Sequence, residues 1–165
     1  MKKNPKNMSI QITTEQIKEL RDSTGISVMQ CKHALEEAEG DMKKALAILK
    51  KTSSDIALKK GSREVKDGAV TIKLKDLPAQ AGKKAVLVSL LCETDFVAMN
   101  EDFKHLAHEI ALQVAAMNPK NVKELLKTPY IRDAGLTIEA LVKQTVAKVG
   151  ENIIVARFSR MSLGE

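Results

Sequence analysis

Apolar and polar positions change their rhythm partway along this chain. From Ile12 to Leu49 the apolar residues recur at three- and four-residue spacing in three short blocks, which predicts three helices. Thr13 with Gln16 fits a capping box, and Ile12 with Ile17 fits the hydrophobic staple around it. Ile17 and Leu20 form the inward face of the first helix, and Gly25 supplies a left-handed stop. Ser27 caps the second helix, with Gln30 in the boxing position; Cys31, Ala34, Leu35 and Ala38 make its apolar side, and Gly40 ends it. Asp41 caps the third, which turns Met42, Ala45, Leu46 and Leu49 inward. Residues 13–51 thus form a compact module close to the lower size limit for unassisted folding, behind a basic tail over residues 1–12.

Residues 52–67 are polar and charged and read as a linker that admits a helical part. From Gly68 the period drops to two. Val70, Ile72 and Leu74 alternate with Thr71, Lys73 and Lys75, the pattern of a half-buried strand. Pro78 and Gly82 mark a turn, and Ala85 to Cys92 is a strand apolar on both faces. Asn100 then caps a helix whose first turn holds Glu101 and Asp102, favourable to the helix dipole. Its stripe is Phe103, Leu106, Ala107, Ile110, Ala111 and Val114. Asn118-Pro119 begins a short helix that ends before Pro129. Thr137 caps the last helix, with Ile138, Leu141, Val142, Thr145 and Val149 inward and Gly150 as its stop; Ile153 to Met161 is a closing strand. The expected fold is α+β: a three-helix module, a linker, and a core over residues 68–165 with a three-stranded antiparallel sheet packed against helices.

Composition narrows the possible roles. A hydrophobic fraction of 44% with 29% charged residues supports a real core and argues against general disorder. The net charge of +6 suits an acidic partner, either nucleic acid or an acidic protein face, without choosing between them. Binders of single strands stack bases on aromatic rings, and a chain with no Trp and one Tyr has no such platform. Direct nucleic-acid binding is therefore not expected, and a basic, ribosome-associated RNA-binding accessory protein stands as the alternative that charge alone supports. No apolar run is long enough to span a membrane, and Met1 to Ser9 lacks a signal-peptide core. Cys31 and Cys92 have no metal-ligand spacing and read as reduced, buried thiols of a cytoplasmic protein.

Candidate catalytic chemistry is sparse. His105, His108 and Glu109 fall within about one helical turn, opposite the apolar stripe, and imidazole and carboxylate are zinc ligands. Their spacing is not that of the zinc protease motif, so an ordinary solvated face is the preferred reading. Cys31 and His33 are alternate residues on a helix and point apart. There is no glycine-rich phosphate loop. No catalytic residue, metal or cofactor is expected.

The most informative stretch is Glu93-Thr94-Asp95-Phe96-Val97-Ala98-Met99-Asn100-Glu101-Asp102-Phe103, at a strand-to-helix junction. Phe96 is one of only four aromatic side chains, so placing it beside Asp95 at a turn leaves two readings. Either Phe96 folds back onto the core, or it projects as a wedge into a partner. Val28 and Met29, in the first turn of the second helix, carry the same ambiguity between core cap and exposed apolar contact.

Cys92-Glu93-Thr94-Asp95-Phe96-Val97-Ala98, with Asn100 and Phe103 after it, resembles the second signature of the elongation factor Ts family. Leu20-Arg21-Asp22-Ser23-Thr24-Gly25-Ile26-Ser27-Val28-Met29-Gln30-Cys31-Lys32-His33-Ala34-Leu35 is similar to the first signature, and Gly150 to Phe158 to the family's last core strand. The family commonly has Gly-Met-Met-Asp where this chain has Ser27-Val28-Met29-Gln30. Its longer members carry a second core copy and a protruding coiled coil, for which 165 residues leave no room. The three short helices of residues 13–51, with their one-glycine joints, resemble the ubiquitin-associated (UBA-like) type of domain. The resemblance to the elongation factor Ts family implies a guanine-nucleotide exchange factor for elongation factor Tu, acting by binding and not as an enzyme. Asp95 and Phe96 would intrude near the bound magnesium and phosphates, Thr94, Val97 and Ala98 would frame them, and Val28 and Met29 would touch the partner. A homodimer, joined through the sheet of the core, is the expected working form.

Overall fold

The computed structural model describes residues 12–71 and 84–162, in two compact units that meet in sequence between Thr52 and Ser53. The first unit is built from α1 (Thr14–Thr24), α2 (Val28–Glu37) and the start of α3 (Met42–Lys60). Local chemistry sets the start of each. Thr13 Oγ1 accepts from the Gln16 backbone N–H at 3.2 Å, and Gln16 Oε1 accepts from the Thr13 N–H at 3.0 Å, closing the capping box. Ser27 Oγ accepts from the Gln30 N–H at 3.4 Å. Asp41 Oδ1 takes the N–H groups of Lys43 and Lys44 at 2.9 and 3.1 Å. Gly25, at φ 68°, ends α1 in the left-handed conformation that a side chain would oppose. Leu20, Cys31, Leu35 and Ala45 are fully buried where the three helices meet, with Ile26 and Leu49 beside them.

Helix α3 runs further than its sequence suggested. Residues 52–60, expected within a linker, are helical to Lys60. Ala, Leu and Lys are strong helix formers, and Ala57 packs against the core of the second unit, an attachment that polar composition conceals. Beyond Lys60 six residues precede the first strand.

The second unit holds a three-stranded antiparallel sheet in the order β1 (Asp67–Thr71), β2 (Lys84–Cys92), β5 (Ile154–Ser162). The expected strand residues Ile72 and Leu74 and the turn at Pro78 and Gly82 lie outside the described residues. On β2 the side chains alternate: Val86, Val88, Leu90 and Cys92 are buried, while Leu87 is exposed and Ser89 and Leu91 are half-buried. Between β2 and β5 come α4 (Asp95–Met99), α5 (Glu101–Met117), α6 (Val122–Lys127), a small hairpin of β3 (Pro129–Tyr130) and β4 (Asp133–Thr137), and α7 (Ile138–Val149). Helix α5 packs against β1, β2 and α7. Phe103, Leu106, Ile110 and Val114 form its expected inward stripe, and Leu112, Ala115, Glu109 and Gln113 are buried as well.

Three expectations change here. The helix expected at Asn118-Pro119 begins only at Val122, because Asn118 adopts the left-handed conformation (φ 48°) that closes α5, and Asn121 caps α6 through its bond from the Glu124 N–H at 2.8 Å. The β3–β4 hairpin was not expected at all. Glu109, expected on a solvated face, is 1% exposed. Among the described residues no helix is long and apolar enough to cross a membrane.

Candidate partner-binding site

Cys92 ends β2, and two residues later the chain turns into the five-residue helix α4. Thr94 controls that turn. Its backbone is extended (φ −135°, ψ 157°), and its Oγ1 accepts from the Val97 N–H at 3.5 Å as the N-cap. The same hydroxyl donates to Glu151 Oε1 at 2.7 Å, and the Thr94 N–H donates to Glu151 Oε2 at 3.1 Å. The Thr94 carbonyl accepts from the Cys92 thiol at 3.1 Å. Burial first, and then the charge of Glu151, push the Cys92 thiol above its usual pKa and keep the proton that this bond needs.

A second tie runs beside the first. Glu93 Oε1 accepts from the Asn152 N–H at 2.7 Å, and the other oxygen of Glu93 lies 3.5 Å from the Arg63 guanidinium. The Asn152 side chain, itself buried, donates to the Arg63 carbonyl at 3.1 Å. The end of β2 is thereby sewn to the joint between α7 and β5, residues almost sixty positions away in sequence.

On this frame Val97 is buried against the core and Ala98 is half-buried. Successive helical side chains are about 100° apart, so anchoring Val97 turns Asp95 to the outside. Asp95 is exposed, and Phe96 is 81% exposed. The core reading of Phe96 is thus excluded. Met99, one turn on from Phe96, is exposed too. In the first unit Val28 and Met29 follow the Ser27 cap and are 45% and 60% exposed, so neither closes the three-helix core.

The histidines do not assemble a metal site. His105 Nε2 lies 3.8 Å from Glu109 Oε1, but the other oxygen of Glu109 is already taken by the Tyr130 hydroxyl at 2.5 Å and Arg132 Nε at 2.7 Å. Among the described residues no group of three His, Cys, Asp or Glu is placed to hold a metal ion. Cys31 is buried with its thiol toward the Ile26 carbonyl, while His33 stands in solvent beside Glu36.

Glu109 instead fastens the hairpin, together with Gln113 one turn on. The Gln113 amide donates to Thr128 Oγ1 and the Pro129 carbonyl at 2.9 and 2.8 Å, and its oxygen accepts from the Ile131 N–H at 3.0 Å. Burial alone would raise the Glu109 carboxyl. The bonds from Tyr130 and Arg132, with the charge of Arg132, outweigh it and hold the group below its ordinary value. Burial and the same bond push the Tyr130 hydroxyl up to about 12. The sequence held one signal for this clamp: the near-unbroken apolar run from Ile110 to Ala115 leaves α5 no solvated face for Gln113.

The arrangement around Thr94 commits its hydroxyl to Glu151 and to the Val97 N–H. It presents a carboxylate and a phenyl ring on a short, well-anchored turn, which suits insertion into another protein. A family model described as "Elongation factor TS" matches residues 93–165. An elongation factor Ts of Rippkaea orientalis is 37% identical over 94% of this chain and 79% of its own length. One of Coprothermobacter proteolyticus is 37% identical over 94% of this chain and all of its own length. One of Clostridium novyi is 39% identical over 92% of this chain but only 48% of its own length. On its signatures, its fold and these identities, the chain belongs to the elongation factor Ts family.

Proposed function

We propose that this protein promotes release of GDP from elongation factor Tu during translation elongation, in the cytoplasm, by binding and not by covalent catalysis. The observation that carries the proposal is Phe96, 81% exposed beside Asp95 on a turn pinned through Thr94. A turn that is fixed before docking spares the cost of ordering its backbone, so a ring carried on it binds at lower cost than one on a mobile loop. The physics of exchange is linkage: a protein that binds the empty G protein more tightly than the nucleotide-bound one weakens nucleotide affinity by the same factor. Magnesium bridges phosphates and protein in such nucleotide sites and tolerates little distortion of its octahedral shell. Asp95 and Phe96 intrude beside that ion, Thr94, Val97 and Ala98 hold them, and Val28 and Met29 add affinity from the three-helix unit. The working form is a homodimer.

The test is release of labelled GDP from elongation factor Tu. The double substitution Asp95→Ala, Phe96→Ala abolishes most of the stimulated release while the circular dichroism spectrum and the melt stay those of the parent. Exposed sites typically change stability by no more than about 0.5 kcal/mol. Normal release by the double variant removes the wedge. Release that no concentration of the parent protein stimulates removes the function.

A further inference from the structure

Resting on that reading of the Asp95–Phe96 turn, we propose that Glu151 is a positioning residue for exchange, acting through Thr94 from the joint between α7 and β5. Thr94 has three hydrogen-bonding groups, and all are occupied. The carboxylate of Glu151 takes two of them at once, the N–H at 3.1 Å and the hydroxyl proton at 2.7 Å. This two-point grip fixes the hydroxyl rotor. With its proton committed to Glu151 Oε1, the oxygen turns a lone pair toward the Val97 N–H and begins α4.

Helix α4 has only five residues and cannot hold itself in place by propensity. Its direction is set by the cap at one end and by the buried Val97 in the middle. Removing the carboxylate leaves Val97 buried but frees Thr94 to rotate, which swings Asp95 and Phe96 without unfolding the sheet beneath them. Glu151 is half-buried with both carboxylate oxygens engaged by Thr94, so its effect falls on the geometry of the inserted groups and not on the area of contact. Asn152 and Glu93 keep the neighbouring tie, so the α7–β5 joint stays closed when Glu151 is changed.

The experiment measures GDP release from elongation factor Tu across a range of concentrations of the full chain, to separate the maximal rate from the half-saturating concentration. Glu151→Ala lowers the maximal rate about tenfold, the usual scale for losing a charged hydrogen bond, with the half-saturating concentration changed less than about threefold. Glu151→Gln keeps one acceptor for the N–H and one donor for the hydroxyl oxygen, and recovers most of the rate. Thr94→Ala combined with Glu151→Ala loses less than the product of the two single losses, because the hydroxyl–carboxylate bond is common to both. Should Glu151→Ala unfold, Glu151→Asp carries the same test, with the charge kept and the oxygens withdrawn by one methylene. Parent-rate release by Glu151→Ala, or by Glu151→Asp where it stands in for it, or rate losses that simply add, overturns the proposal. Normal release by the Asp95, Phe96 double variant overturns the wedge reading instead, and the two failures are told apart in the same assay.

Discussion

Glu109 illustrates how far one residue's role depends on groups distant in sequence. As a glutamate on a helix it reads as solvated, yet it is buried and shared between Tyr130 and Arg132. Its folded-state pKa is lowered, so its contribution to stability is full above the ordinary glutamate value of 4.5 and is lost as pH falls through the folded value. Tyr130 works in the opposite sense. With its pKa raised from 10.0 to about 12, its contribution is full below the first figure and is lost as pH rises through the second. We expect Glu109→Gln to flatten the acid limb of a urea-midpoint profile. Glu109→Ala should cost about 2–4 kcal/mol, since it leaves the Tyr130 hydroxyl buried without an acceptor and opens a small void. An acid limb unchanged in Glu109→Gln would assign that limb to other carboxylates. Neither partner was legible beforehand, because they follow Glu109 by 21 and 23 residues and no local pattern links them.

At the scale of elements, what was legible was local. The caps at Thr13, Ser27, Asp41, Asn100 and Thr137 and the glycine stops at Gly25 and Gly150 all follow from side chains reaching their own backbone within a few residues. The hairpin escaped because β3 has two residues and β4 carries an exposed Ala134-Gly135 where alternation would be sought. The grip of Glu151 on Thr94 escaped because 57 residues separate them. One element depends on close approach. A Cβ at Gly68 of β1 would lie 2.4 Å from the Leu90 carbonyl oxygen and 3.0 Å from the Leu91 Cα, both backbone atoms of β2. Gly68→Ala must therefore push the strands apart, and because β1 also packs against α4 the site above it shifts as well. The expected cost is about 2 kcal/mol or more in urea unfolding. A variant as stable as the parent would mean that β1 can slide without loss.

The whole molecule raises the question of its partners. The register pairs Leu91 with Ile154 and Ala85 with Met161, which gathers Leu87, Leu91, Ile154 and Met161 on the sheet face away from α5, with Met161 69% exposed. Large contiguous apolar patches are unusual on monomers, above roughly 400 Å². A two-fold pairing of two sheets covers such a face, so light scattering should return twice the chain mass, and Leu87→Asp with Met161→Asp should return it once. A parent protein that stays at the single mass across micromolar concentrations would leave the homodimer without support. The hydroxyl of Tyr130 has a consequence of a different kind. The sequence has one tyrosine and no tryptophan, so nearly all ultraviolet emission comes from a ring bonded to a carboxylate. An excited phenol is a far stronger acid than its ground state and passes its proton to such an acceptor, which quenches its light. We expect weak tyrosine emission from the folded protein and a rise when the hairpin lets go of α5, whatever the sheet is doing at that moment.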